Sequence, residues 1–254
     1  MSPRDIRAQG YIRGVRLAPG TPDSGYPFDL PVIRALASGI DFDPGITFFV
    51  GENGSGKSTL VEALAVAYGF NPEGGSQNFN FATRSSESEL GAHLLVAKSG
   101  RRPRSRFFLR AESYYNVATE IEALDREPSF GPPLLPAYGG VSAHERSHGE
   151  SFIDLISNRF RPGGLYLLDE PEAALSVRGC LAVLAHVADL AARDSQLIVA
   201  THSPILLSLP GAMIYEISDT GEIHRTSYDD ALPVRLTRDF LADPDRYLRH
   251  LLDS

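Results

Sequence analysis

The chain has 254 residues, 43% of them apolar and 22% charged, the balance of a folded protein with a substantial core. Its formal net charge of -8 opposes a surface that is basic throughout, although a local basic groove is compatible with it. A single cysteine, Cys180, excludes an internal disulfide and suits a reducing compartment. No apolar run approaches the ~20 residues that span a bilayer, and Met1-Ser2-Pro3-Arg4-Asp5 lacks the apolar core of a signal peptide, so a soluble cytoplasmic protein is expected.

Taken in chain order, Tyr11–Leu17 alternates like a strand, and residues 18–31, rich in Pro, Gly and Asp, read as a long loop. Ile46-Thr47-Phe48-Phe49-Val50 is apolar and β-prone, and Leu60–Ala67 has helical composition and spacing. A glycine-rich stretch, Gly69–Ser76, follows. Leu90–Ala97 and Phe107–Ala111 read as the two strands of a hairpin with its tip at Lys98–Arg106. Arg101, Arg102, Arg104 and Arg106 in that tip are either a solvated hairpin end or a contact for a polyanion. Glu112–Asp125 has mixed helical character, and the four prolines of Pro128–Ala137 break the chain.

Beyond Ser147 the pattern alternates cleanly. Helix Gly149–Arg159 leads to strand Leu165–Leu168, and helix Val177–Ala192 leads to strand Leu197–Ala200. A short apolar helix and strand Met213–Ile217 follow, and the tail carries helices near Leu236–Leu241 and Asp245–Leu252. Such alternation predicts an α/β fold with a mainly parallel sheet and helices on both faces.

Three segments carry chemistry. Between the strand ending at Val50 and the helix from Leu60 lies Gly51-Glu52-Asn53-Gly54-Ser55-Gly56-Lys57-Ser58-Thr59, a complete G-x-x-x-x-G-K-S phosphate-binding loop in its strand–loop–helix setting. The glycines let backbone N–H groups crowd round a polyphosphate, and the helix N-terminus adds partial positive charge. Lys57 supplies a full charge and Ser58 a hydroxyl for Mg2+. Second, Leu165-Tyr166-Leu167-Leu168-Asp169-Glu170 is an apolar strand ending in two acids. In a doubly wound sheet that edge is where a nucleotide's metal is held, with Asp169 on the metal and Glu170 polarising the attacking water. Third, Thr201-His202-Ser203-Pro204 follows the next strand, at the same expected edge, where His202 would hold Glu170 and water against the γ-phosphate. Ser147-His148-Gly149-Glu150-Ser151 reads by itself as a helix cap that points N–H groups outward.

The order of phosphate loop, Ser-x-Gly, Asp-Glu and His resembles the ATP-binding-cassette ATPases over roughly residues 11–217. More narrowly, Gly51–Thr59 and Thr201–Pro204 are similar to the soluble branch that includes RecF-like, overcoming-lysogenization-defect-like and chromosome-maintenance ATPases. Arg-Ser-His-Gly-Glu-Ser-Phe and Tyr-Leu-Arg-His-Leu-Leu resemble a bacterial group of stand-alone ATPases.

The resemblance implies a P-loop NTPase fold: a mainly parallel central sheet, an antiparallel N-terminal β portion and a small helical signature subdomain. It implies one ATPase domain over 1–254, made of an N-terminal lobe (1–110), a signature region (111–160), an Asp-Glu and switch-histidine lobe (161–227) and a helical tail (228–254). ATP and Mg2+ are the implied ligands. Gly51–Thr59 would bind the phosphates, with Lys57 on the β and γ oxygens, and Ser58 and Asp169 would hold Mg2+. Glu170 would be the general base and His202 the switch. Ser147 and Gly149 match the signature that touches the γ-phosphate bound to the opposite subunit, and Ala173-Ala174-Leu175-Ser176 matches the loop that crosses that interface. A head-to-tail homodimer closing over two ATP molecules is therefore implied. Its output would be DNA repair, maintenance or defence, with DNA as a partner. The alternatives are the ATP-binding subunit of a membrane transporter and a nucleotide-gated module with little turnover. The chain departs from the pattern at His148, where the signature has glycine, and at Glu150, where it has glutamine. The metal-sensing glutamine falls at Glu112 or Gln77, and the adenine-stacking aromatic at Tyr26 or Phe28.

Overall fold

Alternate side chains along the central strands enter two different cores. From β3 (Ile46–Gly51), Phe48 and Val50 join Tyr166, Leu168, Leu197 and Val199 on one face, while Phe49 joins Leu165, Leu167, Ile198 and Ala200 on the other. In β3, β6 (Gly164–Asp169) and β7 (Gln196–Ala200) every residue is buried, as the interior of a parallel sheet covered on both sides requires. The computed structural model describes residues 10–70, 85–110, 148–173 and 175–252.

Six strands form this sheet in the order β5-β6-β7-β3-β8-β9, with β5 at Ser105–Arg110, β8 at Met213–Ile217 and β9 at Ile223–Thr226. All pairings are parallel except β8–β9, an edge hairpin. A second, antiparallel sheet has the order β2-β1-β4, with β1 at Ile12–Leu17, β2 at Ile40–Asp41 and β4 at Leu94–Lys98. Between the two sheets lies α2 (Lys57–Tyr68). Its Leu60, Val61 and Leu64 are fully buried against Ile12, Val15 and Phe49. The preceding short helix is α1 (Pro31–Ala35), and α3 (Ser85–Ala92) packs on α2. The opposite face is covered by α4 (His148–Arg159), α5 (Val177–Ala192), α6 (Pro204–Leu207) and α7 (Leu232–Ala242), and α8 (Pro244–Leu252) ends the described chain. The tail helix α7 starts earlier than expected because Pro233 occupies its first turn, where a missing N–H costs nothing.

The mainly parallel sheet and the antiparallel N-terminal portion match expectation. The hairpin does not. Residues 85–92 are helical, and β4 and β5 belong to different sheets. The burial patterns give the reason: β4 hides one side chain in five, whereas Phe107-Phe108-Leu109 of β5 is buried on both faces and pairs in parallel with β6. Arg101, Arg102 and Arg104 sit in the crossover between sheets, and Arg106 is in β5. Arg101 pairs with Asp194 at 2.5 Å and lies over the Tyr11 ring, Arg106 lies over Phe70, and Arg102 and Arg104 are exposed. The readings at Glu112–Asp125 and Pro128–Ala137 lie outside the described residues, as does most of the expected signature subdomain; α4 is its described part.

A buried amide side chain helps join the two sheets. Gln196, fully buried at the start of β7, accepts from Ile12 N–H at 2.8 Å and donates to the carbonyls of Ile12 and Asp43 at 2.8 and 2.9 Å. Gln196→Leu keeps the volume and orphans these backbone groups. Unpaired buried groups cost about 1–3 kcal/mol each, so a loss of about 3 kcal/mol and a Tm lowered by about 10 °C are expected in a thermal melt. An unchanged Tm would show that the two sheets hold together without it.

Candidate functional site

β3 runs out at Gly51, where a Cβ would stand 2.7 Å from the Ile217 carbonyl oxygen, too close for any side chain. The loop then turns into α2 through Gly56, at φ +87°, where a Cβ would also strike Val32. No side chain caps α2, so its first N–H groups are left to face the loop's concave side. Ser55 Oγ is buried there without a hydrogen-bond partner among the described residues. Lys57, 3% exposed, folds back and donates to the carbonyls of Gly51 and Glu52, both at 2.9 Å. Burial pushes its pKa below the usual lysine value, against the opposing pull of Glu170, Asp169, Glu172 and Glu52. An uncapped helix start, an orphaned hydroxyl and a partly desolvated ammonium all fit an anion.

The acidic end is built by β6. In register, Arg110 of β5 lies beside Asp169, Asp169 beside Ala200 of β7, and Ala200 beside Phe49 of β3. Asp169 and the end of β3 are thus two strand spacings apart, about 10 Å, on one rim of the sheet. Asp169 is buried, with Arg110 Nε 3.7 Å from its Oδ2, and Arg110 Nη1 donates to Glu62 of α2 at 2.9 Å. Glu170 takes a left-handed conformation, φ +49°, while its N–H still donates to the Ala200 carbonyl at 2.9 Å. A non-glycine residue there is strained, and such strain gathers where a side chain must be aimed. His202 Nε2 and Glu170 Oε1 share a hydrogen bond of 3.0 Å.

Loop and acid meet in a cleft of about 240 Å3 lined by Asn53, Gly54, Lys57, Ser58, Thr59 and Glu170. Tyr26, 59% exposed, stands on its wall, whereas Phe28 is buried edge-on to His93 and does not line the cleft. Of the two adenine candidates only Tyr26 is thus on the cleft. A larger groove of about 760 Å3 over β1 and β4 contains none of the motif residues. The Ser58 hydroxyl and Asp169 carboxylate are hard oxygen donors of the kind Mg2+ accepts. Among the described residues no group of three or more His, Cys, Asp or Glu forms a metal cage of its own, and Mg2+ commonly takes few protein ligands beside phosphates and water. Gly149 lies in the first turn of α4. Ser147, Ala174, Glu112 and Gln77 lie outside the described residues.

Two residues of the site went unread in the sequence. Arg110 was only the end of a strand. Glu172, two positions past the acid pair, had no role assigned to it, yet its Oε1 accepts from Thr201 Oγ1 at 2.7 Å and from His202 N–H at 2.5 Å. A second acid two positions after Glu170 was the available signal.

Residues 35–123 match a family described as AAA domain. The chain is similar to the cytochrome c biogenesis ATP-binding export protein CcmA of Rhodopseudomonas palustris (strain BisB5), 32% identical over 165 residues, 61% of this chain and 77% of that protein. The same-named protein of strain HaA2 is 28% identical over 184 residues, 68% of this chain and 86% of its own. Among solved structures, a metal-chelate type ABC transporter in an inward-facing conformation superposes with a TM-score of 0.51 at 16% identity, covering 91% of this chain and 88% of that chain, a likeness of fold alone.

Proposed function

Because the chain belongs to the ATP-binding-cassette family of P-loop ATPases, we propose that it binds ATP with Mg2+ at the Gly51–Thr59 loop and hydrolyses the β–γ phosphoanhydride. One observation carries this reading: the glycine loop and Glu170 line the same cleft, with Asp169 on the same rim. Phosphoryl transfer asks a protein mainly to position groups and neutralise charge. The loop N–H groups and the α2 N-terminus would hold the phosphates, and Lys57 would leave the Gly51 and Glu52 carbonyls for the β and γ oxygens. Ser58 and Asp169 would hold Mg2+, which when bound neutralises charge on the phosphates. Glu170 would accept the proton of the attacking water, and His202 would fix its carboxylate. Tyr26, on the wall of the cleft, would meet the base. Phosphate release from ATP, measured with and without Mg2+, tests the reading; a purified protein that binds Mg-ATP and releases no phosphate overturns it.

The active form in this proposal is a head-to-tail homodimer formed with ATP, in which Ser147 and Gly149 face the partner's nucleotide. Exposed Val177 and Leu181, one helical turn apart at the start of α5, support it by extending the loop at Ala173–Ser176 with apolar surface. Cytoplasmic residence goes with this reading. For the output, the sequence motifs favour a soluble ATPase of DNA repair, maintenance or defence. The export proteins of R. palustris favour a second reading, the ATP-binding subunit of a membrane transporter. No helix among the described residues is long and apolar enough to cross a membrane, so that reading requires a separate membrane partner. Hydrolysis stimulated by DNA with a steep salt dependence supports the first; copurification with a polytopic membrane protein supports the second.

A further inference from the structure

Glu170, Pro171 and Glu172 form one tight turn, closed by the Ala173 N–H on the Glu170 carbonyl at 3.0 Å. The two acids of this turn reach the same residue from opposite ends. Glu170 Oε1 meets the His202 imidazole at 3.0 Å, while Glu172 Oε1 takes the His202 backbone N–H at 2.5 Å. The same Glu172 oxygen accepts from Thr201 Oγ1 at 2.7 Å, and Thr201 Oγ1 in turn accepts from Ser203 N–H at 3.0 Å. One carboxylate oxygen therefore holds the whole Thr201–Ser203 turn at the end of β7. The other oxygen, Oε2, is buried and has no hydrogen-bond partner among the described residues. A partly buried carboxylate with one oxygen unpaired is a weak device for stability, because an unpaired buried atom keeps its desolvation cost. It is better explained by what its satisfied oxygen does.

We infer that Glu172 is a positioning residue, which sets the His202 imidazole against Glu170 by gripping the His202 backbone. The inference deepens the ATPase reading above and rests on it for its kinetic consequence. The Leu175 N–H donates to the Glu172 carbonyl at 2.8 Å, a second backbone contact at this turn.

The test uses Glu172→Ala, Glu172→Gln and His202→Ala in the full chain, with two readouts. The first is residue-resolved amide exchange, which needs no turnover. In Glu172→Ala the His202 amide is expected to exchange at least about 10-fold faster while Leu197–Ala200 of β7 stays protected, and Glu172→Gln, which keeps an acceptor oxygen, is expected to retain protection. The second is steady-state ATP hydrolysis. A displaced catalytic pair loses up to about 100-fold in kcat with KM nearly unchanged, Glu172→Gln stays within about 3-fold of the parent, and Glu172→Ala adds less than about 2-fold in the His202→Ala background. The inference is overturned if the His202 amide exchanges at the parent rate in Glu172→Ala, if β7 loses protection alike, or if Glu172→Ala lowers kcat equally with and without His202. A parent protein that binds Mg-ATP without releasing phosphate fails the ATPase reading instead, and the exchange experiment then decides the Glu172 assignment alone.

Discussion

Glu170→Gln is expected to bind ATP with parental affinity, to lose phosphate release by about 10²–10⁴-fold, and to accumulate as an ATP-bound dimer. The amide keeps the size of the carboxylate and one oxygen for the 3.0 Å contact with His202, so the shape of the cleft survives. What is lost is the ability to accept a proton from water. With turnover blocked, the ATP-bound state has no exit except dissociation, and a dimer that requires ATP persists. Phosphate release and size-exclusion chromatography with ATP measure the two effects. Hydrolysis at the parental rate would remove Glu170 as the base. Loss of turnover with no dimer would keep the base and remove the dimer.

Lys57→Ala is expected to weaken ATP binding by about 10²–10⁴-fold, because two charge-assisted contacts of about 1.5–3 kcal/mol each disappear. The fold should survive. Lys57 is buried with its pKa pushed below the ordinary lysine value, so the folded chain holds that proton less tightly than the unfolded chain does. Between the two pKa values the unfolded state binds more protons, and the contribution of Lys57 to stability rises with pH across that window. ATP binding has the opposite sign, since it needs the ammonium: affinity falls as pH climbs through the lowered pKa, and the fall sets in below the ~10.4 of an unperturbed lysine. Calorimetric titration of ATP between neutral and alkaline pH should show this decline in the parent and not in Lys57→Ala. Unchanged ATP affinity in the variant would sink the phosphate-loop assignment, and unfolding of the variant would show that the ammonium also holds the loop through the carbonyls of Gly51 and Glu52.

Much of the site was legible because each motif is a short contiguous stretch whose conformation its own residues impose. Gly51–Thr59 announces a strand–loop–helix by its glycines and flanking apolar runs, and the structure places β3 and α2 on either side. Leu165–Glu170 and Leu197–His202 each read as a buried strand delivering a polar group at its end, and the parallel β6–β7 pairing puts those ends side by side. The alternation of strand and helix after Ser147 carried the parallel sheet. The same local reasoning failed for 90–111, where two strand-like runs with a turn between them gave no sign that they enter different sheets.

The chain's own residues determined the phosphate loop, the acid pair, the histidine and the strand–helix alternation, since glycine conformations, apolar periodicity and prolines act within a few positions. Only the tertiary structure decided that Arg110 reaches Glu62 across 48 residues, that Glu172 grips His202 across 30, and that Gln196 ties down Ile12 across 184. These contacts depend on which strands lie next to each other. Strand order follows from how whole layers bury their two faces, and no short stretch of sequence carries that information.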